Sequence, residues 1–156
     1  MTDAKAIVDI YNDYILNTTI SFEVKALTED EMRARIQEIS SHFVYLVYEE
    51  DGKILGYCYA HPWKERAAYG HTLETTVYLS PDAKGHGIGR KLMEVLIDEC
   101  RKQGFHALIA CITGGNEASC HLHEKLGFKQ VSAFEKVGRK FGRWLDVVDY
   151  ELLLEP

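Results

Sequence analysis

Apolar residues return every three or four positions over two stretches near the N-terminus, which predicts two amphipathic helices. The first begins behind the candidate caps Thr2 and Asp3, and its apolar face carries Ile7, Ile10, Tyr11, Tyr14 and Ile15. The second begins at a capping-box pair, Thr28 and Glu31, and its apolar face carries Met32, Ile36, Ile39 and Phe43. The chain therefore begins with two helices that each need a surface to cover one face.

After the second helix the pattern changes to an alternation of apolar and polar residues, which indicates strands. Residues 43–49 and 53–61 form two such segments, and Asp51-Gly52 between them is a strong signal for a tight hairpin turn. A third strand is predicted at residues 72–79. These three segments predict an antiparallel meander.

The second half of the chain alternates helices with strands. A helix is predicted from its apolar face, which carries Ile88, Leu92, Val95, Leu96 and Cys100, and Gly104 is expected just past its end. Residues 105–112 are apolar enough for a buried strand, and a short helix closed by Gly127 follows. Two final strands are predicted at residues 129–138 and 144–154.

These elements predict a single α/β domain over residues 1–156, because no repeat, low-complexity tract or linker divides the chain. Of its residues 46% are hydrophobic and only three are proline, so a packed core is expected. Hairpins pair strands antiparallel and a helical crossover pairs them parallel, so the sheet should be mixed.

Composition and charge argue against several classes of protein. No apolar run approaches the ~20 residues of a membrane span, and Met1–Lys5 lacks the form of a secretory signal. A formal charge of −6 argues against a nucleic-acid surface. The four cysteines show no C-x-x-C spacing, which favours buried thiols in a reducing compartment. We therefore expect a cytoplasmic protein without nucleic-acid or membrane partners.

Residues 84–89 are the most informative stretch, because three glycines there join the third predicted strand to the next helix. Glycine lets the backbone approach a ligand closely, and the N–H groups at a helix N-terminus attract phosphate. A dinucleotide fingerprint would need a glycine at Arg90, and a Walker loop would need a Lys-Ser or Lys-Thr pair. Taken alone, the glycines indicate an ordinary connection between a strand and a helix.

The spacing Lys84-x-x-Gly87-x-Gly89 resembles the coenzyme A loop of the GNAT acyltransferases, whose pattern is Gln/Arg-x-x-Gly-x-Gly/Ala. Lys84 departs from that pattern but keeps the positive charge. Six further segments look like the phosphinothricin and L-amino-acid N-acetyltransferase branch: Thr19–Glu23, Arg66–Tyr69, Glu74–Tyr78, Asn116–Ser119, Leu122–Phe128 and Gly142–Asp146. They cover nearly the whole chain in the expected order. The resemblance implies the GNAT fold, in which helices flank a central mixed, mostly antiparallel sheet with splayed parallel strands.

The same resemblance implies acetyl-CoA as co-substrate. Its pyrophosphate would bind the turn formed by Lys84, Gly85, His86, Gly87, Ile88, Gly89 and Arg90. Backbone groups of Val77, Tyr78 and Leu79 would pair with the pantetheine arm, and one N–H would point at the thioester oxygen. Asn116 is expected to cap its helix and contact the cofactor, and Ser119 to support that region.

Glu74 is the candidate general base. It interrupts a strand of threonines and aliphatic residues, and burial there would raise its pKa toward that of a usable base. An α-amino group has a pKa of about 7.7–8.0, against about 10.4 for lysine, so an amino-acid acceptor demands less of its base. The alternative is a solvated carboxylate on the outer face of the strand; the match to the family segment favours the base.

His123 lies seven residues after Asn116, where many GNAT enzymes have a tyrosine that serves as acid to the departing thiolate. Histidine at this place agrees with the phosphinothricin branch, and a protonated imidazole is a candidate for the same role. The alternative is an ordinary helix-surface histidine. A zinc site built from Cys120, His121 and His123 is rejected, because only residues 120 and 123 share a helical face.

The candidate substrate-binding residues are Phe22, Arg66, Tyr69 and Glu74. Arg66 would bind an α-carboxylate through its guanidinium fork, and Phe22 and Tyr69 would line the pocket. An exposed arginine and two core aromatic residues are the alternative interpretation. Residues 140–144 are interpreted either as a turn before the last strand or as cations around a pocket for an acidic substrate.

The leading hypothesis is an acetyl-CoA-dependent N-acetyltransferase for the α-amino group of a small amino acid or analogue, such as phosphinothricin or a methionine derivative. A second hypothesis keeps the chemistry and changes the acceptor to a polyamine, an aminoglycoside or a protein N-terminus. A third is a catalytically silent acyl-CoA-binding module, against which the intact Glu74 and His123 argue. Relatives in this branch suggest a homodimer.

Overall fold

The computed structural model describes residues 3–154, which form four α-helices and six strands. The helices are α1 (Ala4–Asn17), α2 (Glu29–Ser40), α3 (Ile88–Lys102) and α4 (Glu117–Lys125). The strands are β1 (Tyr45–Glu50), β2 (Lys53–Pro62), β3 (Thr72–Leu79), β4 (Ala107–Thr113), β5 (Lys129–Lys140) and β6 (Arg143–Leu153). Each predicted helix and strand is present, with ends that differ by a few residues. None of these four helices has the length and apolarity needed to cross a membrane.

The six strands form one sheet in the order β1-β2-β3-β4-β6-β5. Neighbouring strands run antiparallel except β3 and β4, which run parallel because α3 carries the chain back across the sheet. This confirms the mixed, mostly antiparallel sheet. One face is covered by α1 and α2, whose core includes Met32 and Tyr57; the other is covered by α3 and α4, whose core includes Leu73, Met93 and Phe128. We call them the α1/α2 face and the α3/α4 face.

Two local turn and capping signals are confirmed atom by atom. Asp51 and Gly52 both adopt positive φ, 51° and 78°, and join Glu50 directly to its partner Lys53. At α2, Thr28 Oγ1 accepts from Glu31 N at 3.1 Å and Glu31 Oε2 accepts from Thr28 N at 2.8 Å.

Other helix details differ from the predicted pattern. Asp3 occupies the N-cap position of α1 but makes no side-chain cap bond, and Thr2 lies outside the described residues. Phe43 lies past the end of α2 and packs against the α3 side of the core. Val95 is 50% exposed, because the buried stripe of α3 is rotated toward the adjacent positions Gly89, Met93 and Ile97.

The parallel pair β3–β4 is short, and this positions the site. Residues 72–74 of β3 pair with residues 107–109 of β4, and beyond Glu74 the strands pair no further. We call this point the fork. Alternation turns Glu74 toward the α1/α2 face and Thr75 toward the α3/α4 face. The splayed strands implied by the resemblance are therefore confirmed.

Candidate active site

A cavity of about 460 Å³ opens on the α1/α2 face beside the fork. Its walls come from α1, from the loop between α1 and α2, and from four strands of the sheet. The lining combines aromatic rings, hydroxyl groups and ionisable side chains, among them Tyr11, Ser21, Phe22, Glu23, Tyr59, His61, Glu74, Thr76, Tyr78, Cys111 and Thr113. Apolar walls with a few converging polar groups are typical of a small-molecule site.

Glu74 lines this cavity at the fork, with its side chain 27% exposed. Burial is the largest influence on its carboxyl group and raises the pKa above the usual value. His61 Nε2, opposite Glu74 on β2, lies 3.8 Å from Glu74 Oε2 and acts in the other direction. Asp149 on β6 raises the pKa further. Glu74 is thus a half-buried carboxyl group whose pKa is lowered by a neighbouring histidine, His61, and raised by a second carboxylate, Asp149.

The register of the sheet sets these groups in a row across four strands. Cys111 lies two residues beyond the β4 partner of Glu74, and its thiol lies within hydrogen-bonding reach of both Glu74 and Asp149. Asp149 pairs directly with Cys111 in the ladder and accepts a hydrogen bond from Ser132 Oγ at 2.8 Å. Although Cys111 is exposed as a residue, partial desolvation of its thiol and these two carboxylates raise its pKa and keep it a neutral thiol.

The second carboxylate of the cavity, Glu23, has a different environment. Arg35 donates to it through both terminal guanidinium nitrogens, at 2.7 and 2.9 Å, and Tyr11 donates its hydroxyl to the same carboxylate. The Arg35 hydrogen bonds lower the pKa of Glu23 below its usual value. Glu23 is therefore an ionised group whose charge is already matched, whereas Glu74 is available to take a proton.

The loop between α1 and α2 covers the cavity because three contacts hold it. Thr113 Oγ1 donates to Thr19 O at 2.9 Å, and Lys140 Nζ donates to Ser21 O at 2.6 Å. The ring of Phe22 packs on β5 at Gly138, where a Cβ would lie 2.9 Å from Phe22 Cζ. Phe22 thus lies in the lining of the cavity.

Residues 140–144 do contain the predicted turn, at Phe141 and Gly142, which have φ of 53° and 72°. Lys140 itself is 3% exposed, and its hydrogen bond to Ser21 O holds the loop between α1 and α2 that covers the cavity. It does not line the cavity.

The glycine turn lies at the start of α3, as the spacing predicts. Gly85 and Gly87 have φ of 85° and 74°, and Gly87 is the N-cap residue. The first backbone bond into the helix runs from Lys91 N to Gly87 O, and within residues 3–154 the N–H groups of residues 85–90 have no backbone acceptor. A row of unpaired N–H groups at a helix N-terminus fits a phosphate group.

Two cations of this turn have protein partners. Lys84 Nζ lies 5.3 Å from the centre of the Tyr14 ring, and Arg90 Nε donates to Glu94 at 2.7 Å. Lys84 and Arg90 are themselves exposed, although the Tyr14 ring is buried, so phosphate can compete for either cation. In the part of the chain that the structure describes, the backbone N–H groups of the turn are thus free to bind an anion, whereas its cations have protein partners.

At α4, Asn116 caps the helix as predicted, with Oδ1 accepting from Ser119 N at 3.4 Å. His123 is 3% exposed, so it is not a surface histidine. Its Nδ1 lies 2.7 Å from Ser119 O, which makes Nδ1 the donor, and its ring meets Phe128 edge-on. Burial lowers the pKa of His123 below its usual value, which favours the neutral ring.

Arg66 and Tyr69 lie in the loop between β2 and β3 and do not line the cavity. Arg66 is exposed, and Tyr69 packs edge-on against Trp63, with ring centres 5.3 Å apart. The sequence reasoning also missed the ionisable neighbours of Glu74, which are His61, Cys111 and Asp149. Their shared signal is alternation along each strand, but it becomes informative only once the register between strands is known.

An unpaired helix N-terminus, a fork between parallel strands and a half-buried carboxylate beside it define a group-transfer site of the kind that the GNAT resemblance implies. Residues 1–148 match the family described as the acetyltransferase (GNAT) domain. The chain therefore belongs to the GNAT acetyltransferases.

Individual relatives agree with this assignment. A phosphinothricin N-acetyltransferase of Alcaligenes faecalis is 45% identical over 148 residues, covering 94% of this chain and 75% of the relative. An L-methionine sulfoximine/L-methionine sulfone acetyltransferase of Salmonella typhimurium is 37% identical over 155 residues, covering 98% and 90%. An acetyltransferase structure from Salmonella typhimurium with its cofactor acetyl-CoA has a TM-score of 0.96 at 37% identity, covering 99% and 90%.

Proposed function

We propose that this protein transfers the acetyl group of acetyl-CoA to the α-amino group of a small amino acid or amino-acid analogue. The relatives described above are named for phosphinothricin and for methionine sulfoximine and sulfone. A cavity of about 460 Å³ fits acceptors of that size. The glycine turn and the fork fit an acyl-CoA that approaches from the α3/α4 face.

The observation that carries the proposal is the difference between the two carboxylates of the cavity. Glu23 is ionised and bound by Arg35, whereas burial raises the pKa of Glu74 toward the range in which a carboxylate exchanges protons with an amine. Only Glu74 lies at the fork, where the two substrates would meet. Two similar groups with opposite pKa shifts indicate which one acts as the base.

Acetyl-CoA supplies the acetyl group as a thioester and a thiolate as the leaving group. Glu74 takes the proton of the attacking amine, directly or through one water. A backbone N–H of residues 77–79, on the unpaired edge of β3, donates to the thioester oxygen as it gains charge. The turn at residues 84–90 binds the pyrophosphate, and Asn116 and Ser119 contact the cofactor from α4.

His123 is retained in the proposal as the acid to the departing thiolate. Because burial lowers its pKa, this role requires the ring to take up a proton at Nε2 while Nδ1 stays bonded to Ser119 O. Neutral His123 with Nδ1 protonated has no second proton to donate.

Phe22 is proposed as an acceptor ligand within the cavity, and Arg66 and Tyr69 are proposed as acceptor ligands from the loop between β2 and β3, outside the cavity lining. Phe22 lines the cavity, and the loop that carries Arg66 and Tyr69 starts after the Pro62–Leu73 pair, which is the next pair of the ladder beyond His61–Glu74. An α-carboxylate bound by Arg66 would distinguish amino acids from polycationic amines.

The test is thiol release from acetyl-CoA with a panel of amines and a no-acceptor control. Methionine sulfoximine, methionine sulfone, phosphinothricin and proteinogenic amino acids are compared with polyamines, an aminoglycoside and a peptide N-terminus. We expect release with small α-amino acids. Release with polycations or peptides alone would contradict the acceptor, and binding of acetyl-CoA without release would contradict the enzyme.

The two ionisable neighbours of Glu74, His61 and Asp149, predict opposite shifts in the pH dependence of kcat/KM. With one acceptor, kcat/KM should rise with pH as Glu74 ionises, because its ionised form is the base. Asp149→Asn removes an influence that raises the pKa of Glu74, and His61→Gln removes one that lowers it. The rising limb should move to lower pH in the first variant and to higher pH in the second. Unmoved profiles in both variants would contradict the assignment of Glu74.

A homodimer is also part of the proposal. The hairpin β5–β6 ends the sheet and exposes large apolar side chains: Val131, Phe134, Val137, Phe141 and Trp144. An apolar edge of this kind favours association with a second surface. Light scattering should give twice the chain mass of 17.8 kDa. Val137→Lys should reduce the measured mass to that of one chain. Val95→Lys, the same change at an exposed position of α3, should leave the mass unchanged.

A cytoplasmic location completes the proposal. All four cysteines are free thiols, but the prediction that they are buried holds only for Cys58 and Cys100, because Cys111 is exposed and Cys120 is partly buried. Burial raises the pKa of Cys58 to about 12 and that of Cys100 to about 11, so both stay protonated and unreactive. Such thiols suit a reducing compartment, and cell fractionation would test the location directly.

A further inference from the structure

Thr75 carries the one buried polar side-chain atom within residues 3–154 that has no hydrogen-bond partner. The residue is 6% exposed, so bulk water does not satisfy its hydroxyl. A buried hydroxyl without a partner lowers the stability of the fold. Its presence at one position of the chain therefore needs an explanation.

The position of Thr75 suggests one, because Thr75 is the first residue of β3 beyond the fork. Its antiparallel neighbour on β2 is Ala60, which offers no polar side chain. On the other side β4 has already diverged. The hydroxyl thus lies at the apex of the gap between the splayed strands, among apolar residues of the α3/α4 face.

Glu74 and Thr75 are consecutive, so their side chains lie on opposite sides of the sheet at the same point. Glu74 faces the cavity on the α1/α2 face, from which an amine would approach. The glycine turn of α3 and the capped start of α4 lie on the other face, from which an acyl-CoA would approach. The amine and the leaving sulfur are thereby separated by the plane of the sheet, with Thr75 on the sulfur side.

We propose that the Thr75 hydroxyl donates a hydrogen bond to the sulfur of acetyl-CoA as the carbon–sulfur bond breaks; this inference rests on the proposed function. In that step a carbon–nitrogen bond forms, the electrons of the carbon–sulfur bond pass to sulfur, and the amine proton passes to Glu74. Thr75 keeps its own proton and stabilises the thiolate through it. A charged acceptor is the partner for which a hydroxyl donor gains most.

The inference assigns Thr75 a role that the geometry of His123 leaves open. The Nδ1 proton of His123 is donated to Ser119 O, and burial favours the neutral ring. Thr75 needs no change of ionisation in order to donate. It is therefore a donor to sulfur at every pH at which Glu74 is ionised.

The first test is thermal unfolding of Thr75→Val and Thr75→Ser without ligand. Valine keeps the branched shape and removes the orphan hydroxyl, so its unfolding midpoint should rise by about 1–4 °C. Serine keeps the hydroxyl and loses a buried methyl group, so its midpoint should fall. A lower midpoint for the valine variant would show that the hydroxyl is already bonded in the free protein and would overturn the proposal.

The second test compares binding of coenzyme A and desulfo-coenzyme A, which has hydrogen in place of the thiol, at pH 9. A cysteine thiol has a pKa of about 8.5, and the alkyl thiol of coenzyme A, which lacks the flanking peptide groups, ionises at somewhat higher pH, so a minor part of the free coenzyme A is thiolate at pH 9 and is drawn into the complex by a donor to sulfur. Thr75→Val should bind coenzyme A about tenfold more weakly and desulfo-coenzyme A unchanged. Thr75→Ser should bind both like the unaltered protein. Equal affinities of the valine variant and the unaltered protein for coenzyme A would overturn the proposal.

Steady-state kinetics with an acceptor that the unaltered protein uses complete the test. Thr75→Val should lower kcat about tenfold and change the KM for the acceptor little, while Thr75→Ser recovers most of kcat. An unchanged kcat in the valine variant would overturn the inference alone. Absence of turnover in the unaltered protein would instead overturn the proposed function, and the binding comparison would still decide the contact with sulfur.

Discussion

Replacing Glu74 by glutamine should lower kcat by roughly 10²–10⁴-fold, the contribution of a positioned general base. Glutamine keeps the size of the side chain and its contacts with His61 and Cys111, but it cannot accept a proton from the amine. Affinity for acetyl-CoA should change little, because the carboxylate faces the acceptor cavity. Thiol release at saturating acceptor and acetyl-CoA titration measure the two effects separately.

The same substitution should make the protein more stable at neutral and alkaline pH. Burial raises the pKa of Glu74 in the folded state, so the folded chain binds this proton more tightly than the unfolded chain. Ionising Glu74 as pH rises above its unfolded pKa of about 4.3 therefore costs stability. Glu74→Gln removes that cost, and the gap between variant and unaltered protein should close below about pH 4. A catalytic group that weakens the fold is common at functional sites.

Glu23 supplies the matched control, because it is the second carboxylate of the same cavity. Glu23→Gln leaves the guanidinium of Arg35 without its ionic partner, so this variant should lose stability at neutral pH. It should keep far more kcat than Glu74→Gln. A loss of kcat confined to Glu23→Gln, with Glu74→Gln active, would assign the base to Glu23 instead.

The order of helices and strands was predictable because it depends on short-range periodicity. The capping box at Thr28, the turn at Asp51-Gly52 and the glycine after α3 act over three or four residues, and each has the predicted geometry. Val95 shows the limit of that reasoning. Periodicity predicts that a helix has an apolar face, but the sheet it packs against decides how that face is rotated.

The site was only partly predictable for a related reason. Glu74 and residues 84–90 could be predicted, because each belongs to a motif that lies within one short stretch of chain. Cys111 and Asp149 could not, because their distance from Glu74 depends on the registers β3–β4 and β4–β6. The packing of Phe22 on Gly138 is equally non-local, since it joins residues more than a hundred positions apart.

The unpartnered hydroxyl of Thr75 could not be predicted from the sequence at all. A threonine in a strand is the expected residue type, since β-branched side chains fit a pleated surface. What distinguishes Thr75 is that its neighbouring strand leaves at that residue, a fact of topology rather than of local preference. The proposed separation of proton transfer on one face from sulfur departure on the other depends on these two consecutive residues at one fork.

Replacing Gly87 by alanine should raise the KM for acetyl-CoA by roughly 10–100-fold, the equivalent of losing one or more hydrogen bonds to a charged group. Gly87 has φ of +74°, and an added Cβ would meet no atom within 4 Å. The substitution therefore acts through backbone strain, which turns the N–H groups of residues 85–90 away from their present arrangement. Since Glu74 is untouched, kcat at saturating acetyl-CoA should stay within about threefold.

Gly52 provides the comparison that isolates this effect. It has φ of +78° in the β1–β2 turn, and an added Cβ there also meets no atom within 4 Å. Gly52→Ala should thus cost about the same stability, on the order of 1 kcal/mol, and leave the KM for acetyl-CoA unchanged. If both variants raised KM equally, general loosening of the fold would explain the result. A rise confined to Gly87→Ala would identify the backbone at the start of α3 as the phosphate site.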